Sequence, residues 1–263
     1  MTGSSEVEDG TRGDAVGNSE DGSSGPTAAE LESALRAGVA LYAEGWYHAA
    51  HDPWEAVWLE LDRETAPTDE RFFHGLIQFT AAIYHAREGN PDGASGLATS
   101  AREYLAPLPG VYRGVGLDGP RAFCRRLAAD PVLLERREPP PLEYEGSPLP
   151  VAALAPDALG RAGEAVAEEL GYDESVVVAA ARFAAADAER DQPALDADSG
   201  GTASTADGAA PFASLLVDFV TGGVAGGGPG DDSDRGLVFQ RLAAHVDRRE
   251  RAESDVSGLF DTG

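Results

Sequence analysis

The sequence predicts an all-α protein: a compact helical bundle of about five helices, followed by a smaller helical C-terminal region. Three observations point there. Apolar residues recur at helical spacing through most of residues 28–137, no stretch alternates as a half-buried strand would, and Gly, Pro and Asn fall where those helices should end. A chain of 263 residues has room for one to two domains.

The elements follow in order. Residues 1–27 are Gly, Ser, Asp and Glu with little to bury, and are expected to form a disordered acidic tail. The first helix carries Leu31, Leu35, Val39 and Tyr42 at helical spacing, with Gly45 as its terminator. A second helical segment spans 46–62. A third spans 69–88 and stops at Gly89-Asn90. The fourth, 91–105, sets Leu97, Ala101 and Leu105 on one face, and a fifth covers 118–129. The helical domain is thus placed at 28–137. Residues 138–150 (EPPPLEYEGSPLP) are too rich in proline for a helix and are read as a linker. Residues 151–263 are read as a helical C-terminal region with a low-complexity insert at 191–210. They form either a small module of their own or helices that dock onto the first domain.

Composition narrows the setting. The net charge is −26, from 46 Asp and Glu against 20 basic residues, every one of them Arg. Concentrated salt screens the carboxylate repulsion that would weaken such a fold in dilute buffer. The chain therefore reads as cytoplasmic and halophilic, part of an acidic proteome of archaeal type. A nucleic-acid partner is disfavoured, because phosphate binding needs clustered cations. The clusters Arg125-Arg126, Arg136-Arg137 and Arg248-Arg249-Arg251 stand among acids and are read as surface pairing. No signal peptide or membrane-length apolar run is present, so no membrane partner is expected. Cys124 is the single cysteine, lies in an apolar helical stretch, and is expected to be buried and inert.

The chemistry is concentrated in one region. Four of the five histidines (His48, His51, His74, His85) fall within 38 residues, and all three tryptophans (Trp46, Trp54, Trp58) within 13. On a continuous helix His48, His51 and Glu55 fall in a sector roughly 60° wide, and Trp58 extends the stripe. On the third helix His74, Gln78 and His85 share a face, with small Ala81 and Ala82 between them. Two chemistries suit this pattern. In the first, His51, Glu55 and His85 ligate a divalent metal and leave a position for water, which the metal activates for hydrolysis. In the second, Glu55 and His51 or His85 form a metal-free acid–base pair in a pocket lined by Trp54, Trp58 and Gln78. Against both stands a packing role, in which His and Glu satisfy each other between helices. Asp52-Pro53-Trp54-Glu55 also has the form of a helix start, which would leave His51 outside the helix. Phosphate-binding glycine loops, paired cysteines and a nucleophile elbow are all missing from the sequence.

The segments from Gly45-Trp46-Tyr47-His48 to Asp52-Pro53-Trp54-Glu55 and Trp58, then Phe73-His74-Gly75-Leu76-Ile77-Gln78, Tyr84-His85 and Gly89-Asn90-Pro91-Asp92-Gly93-Ala94, resemble the family named domain of unknown function 309. The resemblance covers about residues 30–130. It implies a compact all-α fold and a second helix running through both His51 and Glu55. It also implies a metal-dependent hydrolase with His51, Glu55, Trp58, Gln78 and His85 as signature positions. The sequence departs from the pattern in two places: Asp52 stands where Glu is usual, and Ala49 or Ala50 where an acidic residue often precedes the histidine. The alternative is a non-catalytic helical module that binds a protein partner or small ligand. A homo-oligomer would use the aromatic-rich face.

Overall fold

A computed structural model of the chain describes residues 25–191, 211–222 and 232–260. Residues 1–24 of the expected tail and 192–210 of the expected insert lie outside the described residues. The fold is all-α, as the helical periodicity requires. Helix α1, Ala28–Ala43, starts with a capping box: Glu30 N donates to Thr27 Oγ1 at 3.2 Å, and Thr27 N donates to Glu30 Oε2 at 2.8 Å. It ends at Gly45, whose φ of 87° suits glycine. Gly45 N there donates to Tyr42 O and Trp46 N to Leu41 O, each at 3.0 Å. Helices α2 (Asp52–Glu60), α3 (Pro67–Arg87), α4 (Pro91–Leu105) and α5 (Asp118–Ala129) complete the first half. The broadest packing is α3 on α4.

The second helix differs from its expected extent. Residues 46–51 form successive turns, and the regular helix begins only at Asp52. Pro53 is the reason: its ring crowds the carbonyl four residues back and it offers no N–H to the turn before it. His51 keeps a helical backbone (φ −80°, ψ −28°) but stands at the N-cap, and its side chain caps nothing. The regular helix thus starts at the Asp52-Pro53 signal, but Asp52 is its first residue and His51, not Asp52, stands at the N-cap.

A hairpin of two-residue strands, β1 (Val111–Tyr112) and β2 (Val115–Gly116), interrupts the helices. Strands this short show no alternation to read. Arg113 (φ 45°) and Gly114 (φ 80°) make the turn, both left-handed as such tight hairpins need. Asp69 holds Arg113 there, accepting from Nε at 2.6 Å and Nη2 at 2.7 Å.

The C-terminal helices α6 (Pro156–Leu170), α7 (Glu174–Asp191), α8 (Pro211–Thr221) and α9 (Asp232–Phe260) dock onto the first half. One continuous set of buried apolar residues joins both halves. Trp46 Nε1 donates to Val220 O in α8 at 3.0 Å, and the Arg235 guanidinium of α9 lies 4.9 Å from the Trp46 ring. Residues 138–150 are not helical, but neither are they a free linker. Leu142, Tyr144 and Leu149 are buried, and Tyr42 Oη donates to Pro140 O at 2.6 Å. Proline excludes a helix there, yet its fixed extended backbone packs well against α1. Among the described residues no helix is long and apolar enough to cross a membrane.

Cys124 is fully buried on α5, and burial pushes its thiol up to about 12. The thiolate is the reactive form, so the native protein at pH 8 is expected to resist an aromatic disulfide reagent for hours and to react with one equivalent in denaturant. Rapid stoichiometric labelling of the native protein would contradict that burial.

Candidate functional site

The half-buried residues of α2 and α3 form one polar stripe. From the turn before α2 onward they include His48, His51, Asp52, Glu55 and Trp58; on α3 they include His74, Gln78, Tyr84 and His85. Trp58 meets His74 at one end, ring centroids 4.6 Å apart, and His48 meets Tyr84 at the other, 4.7 Å apart. The apolar flanks of the same helices are buried, so the stripe is where the bundle leaves polar side chains open to water.

The Trp58 end centres on Glu70. Glu70 is buried and accepts from Trp58 Nε1 at 3.1 Å, with Arg63 Nε at 3.2 Å and His74 Nδ1 at 3.6 Å from the same oxygen. His74 is stacked against Tyr104 as well, at 4.0 Å, and burial holds its pKa below the usual imidazole value against the pull of Glu70. Trp54 is not at the stripe. It is fully buried, with Nε1 donating to Leu35 O at 3.3 Å, and its role is packing.

The other end is an open cleft of ≈ 330 Å³ lined by His48, Asp52, Tyr84, Glu168 and Glu169. The carboxylates arrive from the last turn of α6, across the chain. Glu169 Oε2 accepts from Ala49 N at 2.8 Å and lies 3.8 Å from His48 Nδ1, which fixes the turn that carries the histidines. His51 Nε2 is 3.1 Å from Asp52 Oδ1, the His48 and His51 rings meet edge to face at 4.8 Å, and His51 Nδ1 is buried with no hydrogen-bond partner. Burial first, then the charges of Glu168, Glu169 and Glu55, push the Asp52 carboxyl up to about 7, with His48 opposing.

Glu55 and Gln78 lie between these ends. Neither side chain makes a hydrogen bond or ion pair among the described residues, and neither has a buried orphan atom, so both face water.

His85 is the sequence candidate that the structure removes from the set. Asn90 Nδ2 lies 2.8 Å from its Nδ1, while Asn90 Oδ1 accepts from Gly93 N at 3.0 Å and so caps α4. With its oxygen occupied, Asn90 presents an amide N–H, which makes His85 Nδ1 the acceptor and leaves the ring proton on Nε2. Neither nitrogen then has a free lone pair. A Cβ at Gly93 would stand 2.6 Å from Asn90 Nδ2, which explains the glycine of the Gly-Asn-Pro-Asp-Gly-Ala turn. Among the described residues no group of three or more His, Cys, Asp or Glu side chains is arranged to hold a metal ion. The expected ligand set of His51, Glu55 and His85 is therefore not assembled: His51 turns to Asp52 and His85 to the α3–α4 turn.

Of the residues that line the cleft, sequence reasoning includes His48 in the shared sector but names none of Asp52, Tyr84, Glu168 and Glu169 as a candidate. Asp52 and Tyr84 sit beside named candidates, and His-Asp and Tyr-His adjacency was the available signal. Nothing local marks the α6 carboxylates, which lie some 120 residues away from Ala49 along the chain.

With this geometry in view, residues 35–97 match the model of the family described as domain of unknown function (DUF309). The matched segment runs from within α1 into α4 and carries the stripe from His48 to His85, so the resemblance read from the motifs holds there. None of the curated proteins matches the chain.

Proposed function

We propose that the cleft at the start of α2 is the active site of a hydrolase that works by metal-free acid–base chemistry on a neutral or cationic acyl substrate. One observation carries the reading: Asp52, in contact with His51 at 3.1 Å inside an open cleft, titrates at about 7, so at neutral pH it both holds and releases a proton. Protonated Asp52 acts as the general acid and delivers its proton to the leaving oxygen as the acyl–oxygen bond breaks. Glu55, one turn further along α2 and unpaired, acts as the general base. It takes the proton of the water whose oxygen forms the new bond to the acyl carbon. Return of that proton from Glu55 to Asp52 through solvent restores both groups. His51, through Nε2 at 3.1 Å, orients the Asp52 carboxyl. The carboxylates of Glu168 and Glu169 make the cleft negative, which disfavours phosphate esters and other anions. The metal-dependent version that the family resemblance implies does not fit this donor arrangement.

The test is hydrolysis of p-nitrophenyl acetate, with p-nitrophenyl phosphate beside it. The acetate is expected to turn over with a rate governed by a group near pH 7. Asp52→Asn and Glu55→Gln are each expected to lower the rate by about 100-fold or more, and the phosphate should remain intact. Equal rates in both variants, or a near-stoichiometric divalent metal that is lost in the His51→Ala/Glu55→Ala protein, would overturn the proposal. A second reading, a ligand-binding module without catalysis, draws on the Trp58 end, where Trp58 donates to Glu70 and His74 packs against the Trp58 and Tyr104 rings, an arrangement that resembles packing rather than a site.

A further inference from the structure

A second site lies outside the stripe, where two of the sequence's arginine clusters meet. Two adjoining depressions, ≈ 490 and ≈ 380 Å³, lie between α5 and residues 130–140. Both are walled by Arg126 and Arg137 and floored by Leu133, and the larger adds Phe123 and Pro140. The sequence reading gave these arginines to surface pairing with carboxylates, and the structure does not pair them. Arg136 is paired with Asp130, and Arg87 Nη2 is 3.1 Å from Glu138 Oε2. Asp130 and Glu138 are the carboxylates that line the depressions, and other arginines already hold both. Arg126 and Arg137 make no ion pair among the described residues. The groove thus carries two uncompensated positive charges over an apolar floor, on a chain whose net charge is −26.

We propose that this groove binds a small organic anion with an apolar body, such as an aliphatic or aromatic carboxylate. The anionic head lies between the two guanidinium groups, whose planar N–H forks match a carboxylate. The apolar body covers Phe123, Leu133 and Pro140. Bare inorganic anions satisfy the arginines but gain nothing from the floor, and apolar cations are repelled. The volumes fall in the range usual for small-ligand sites.

Calorimetric titration with octanoate tests this, at one KCl concentration where circular dichroism shows every variant folded. Saturable binding at about one equivalent is expected, weakened at least tenfold in Arg126→Gln/Arg137→Gln and unchanged in Arg125→Gln, because Arg125 is exposed beside Arg126 but does not line the groove. Octylammonium should not bind, and inorganic phosphate should compete weakly. Absence of saturable octanoate binding, or equal affinity in the double variant, would overturn the proposal. So would phosphate binding as tightly as octanoate, which would reduce the site to two surface charges.

Discussion

Alanine at position 38 is expected to destabilise the protein by about 2 kcal/mol or more, although alanine normally improves a helix over glycine by roughly 0.5–1 kcal/mol. Helix α1 meets the region of α2 at this residue. A Cβ on Gly38 would overlap the Trp54 indole at Cε2 and Nε1 and stand 2.7 Å from Ala50 O. Neither neighbour can retreat. Trp54 is fully buried and tied through Nε1 to Leu35 O, and the 46–51 turn around Ala50 is closed by Ala50 N donating to Trp46 O at 2.8 Å. Overlap with backbone and a locked ring outweighs the gain in helix propensity. Gly96→Ala is the matched control. It is exposed in α4 with nothing within 4 Å of an added Cβ, and should gain stability of the order expected from propensity alone. Chemical denaturation of both variants at one salt concentration reads the difference directly in the midpoints. A Gly38→Ala protein as stable as Gly96→Ala would mean that the two segments do not approach this closely. Because the 46–51 turn carries His48 and His51, the same substitution should also disturb the cleft.

The helices were legible because burial imposes a period on the sequence, and that period survives whatever the site does. Leu31, Leu35 and Tyr42 are all buried on α1, and Gly45 ends the helix as its position suggested. What failed was any inference that needed helix continuity through a proline. The sector holding His48, His51 and Glu55 assumed an unbroken helix, and Pro53 breaks it. The signature positions therefore divide by job. His85 serves the α3–α4 turn, Trp58 joins the Glu70 network, and His51, Glu55 and Gln78 remain in the open stripe. Proximity through the fold is invisible in the chain. Glu168 and Glu169 look like ordinary exposed acids at the end of an amphipathic helix until α6 is laid against the turn before α2. The Ala49-Ala50 positions, where an acidic residue often stands in the resembled family, receive a carboxylate through space instead: Glu169 accepts from Ala49 N at 2.8 Å. The docked second half therefore supplies part of the site, which a reading of separate domains could not provide.

Asp52→Asn is expected to stabilise the protein at pH 8 and to leave it unchanged near pH 4. The Asp52 carboxyl is raised from 3.8 to about 7 in the folded state, first by burial and then by Glu168. A folded-state pKa above the unfolded one means that folding takes up a proton between the two values. The stability this contributes is complete below about pH 4 and is lost as pH rises through 7. At roughly 1.4 kcal/mol per unit, the difference between pH 4 and pH 8 has an upper bound on the order of 4 kcal/mol, reduced by salt screening of the neighbouring carboxylates. Asparagine keeps the shape of the protonated acid and carries no charge to bury, so the variant's advantage should appear only at the alkaline end. Denaturation midpoints of both proteins across this range test it. Carbon-detected titration of the Asp52 carboxyl supplies the second readout, with a lower midpoint in Glu168→Gln, where one neighbouring charge is gone. A titration near 4, or an Asp52→Asn advantage that does not vary with pH, would remove the acid from the cleft and with it the proposed proton transfer. Agreement would show that the fold sacrifices stability at neutral pH to keep an ionisable carboxyl beside His51. Packing alone gives no reason for that, because asparagine or leucine would fill the place without the cost.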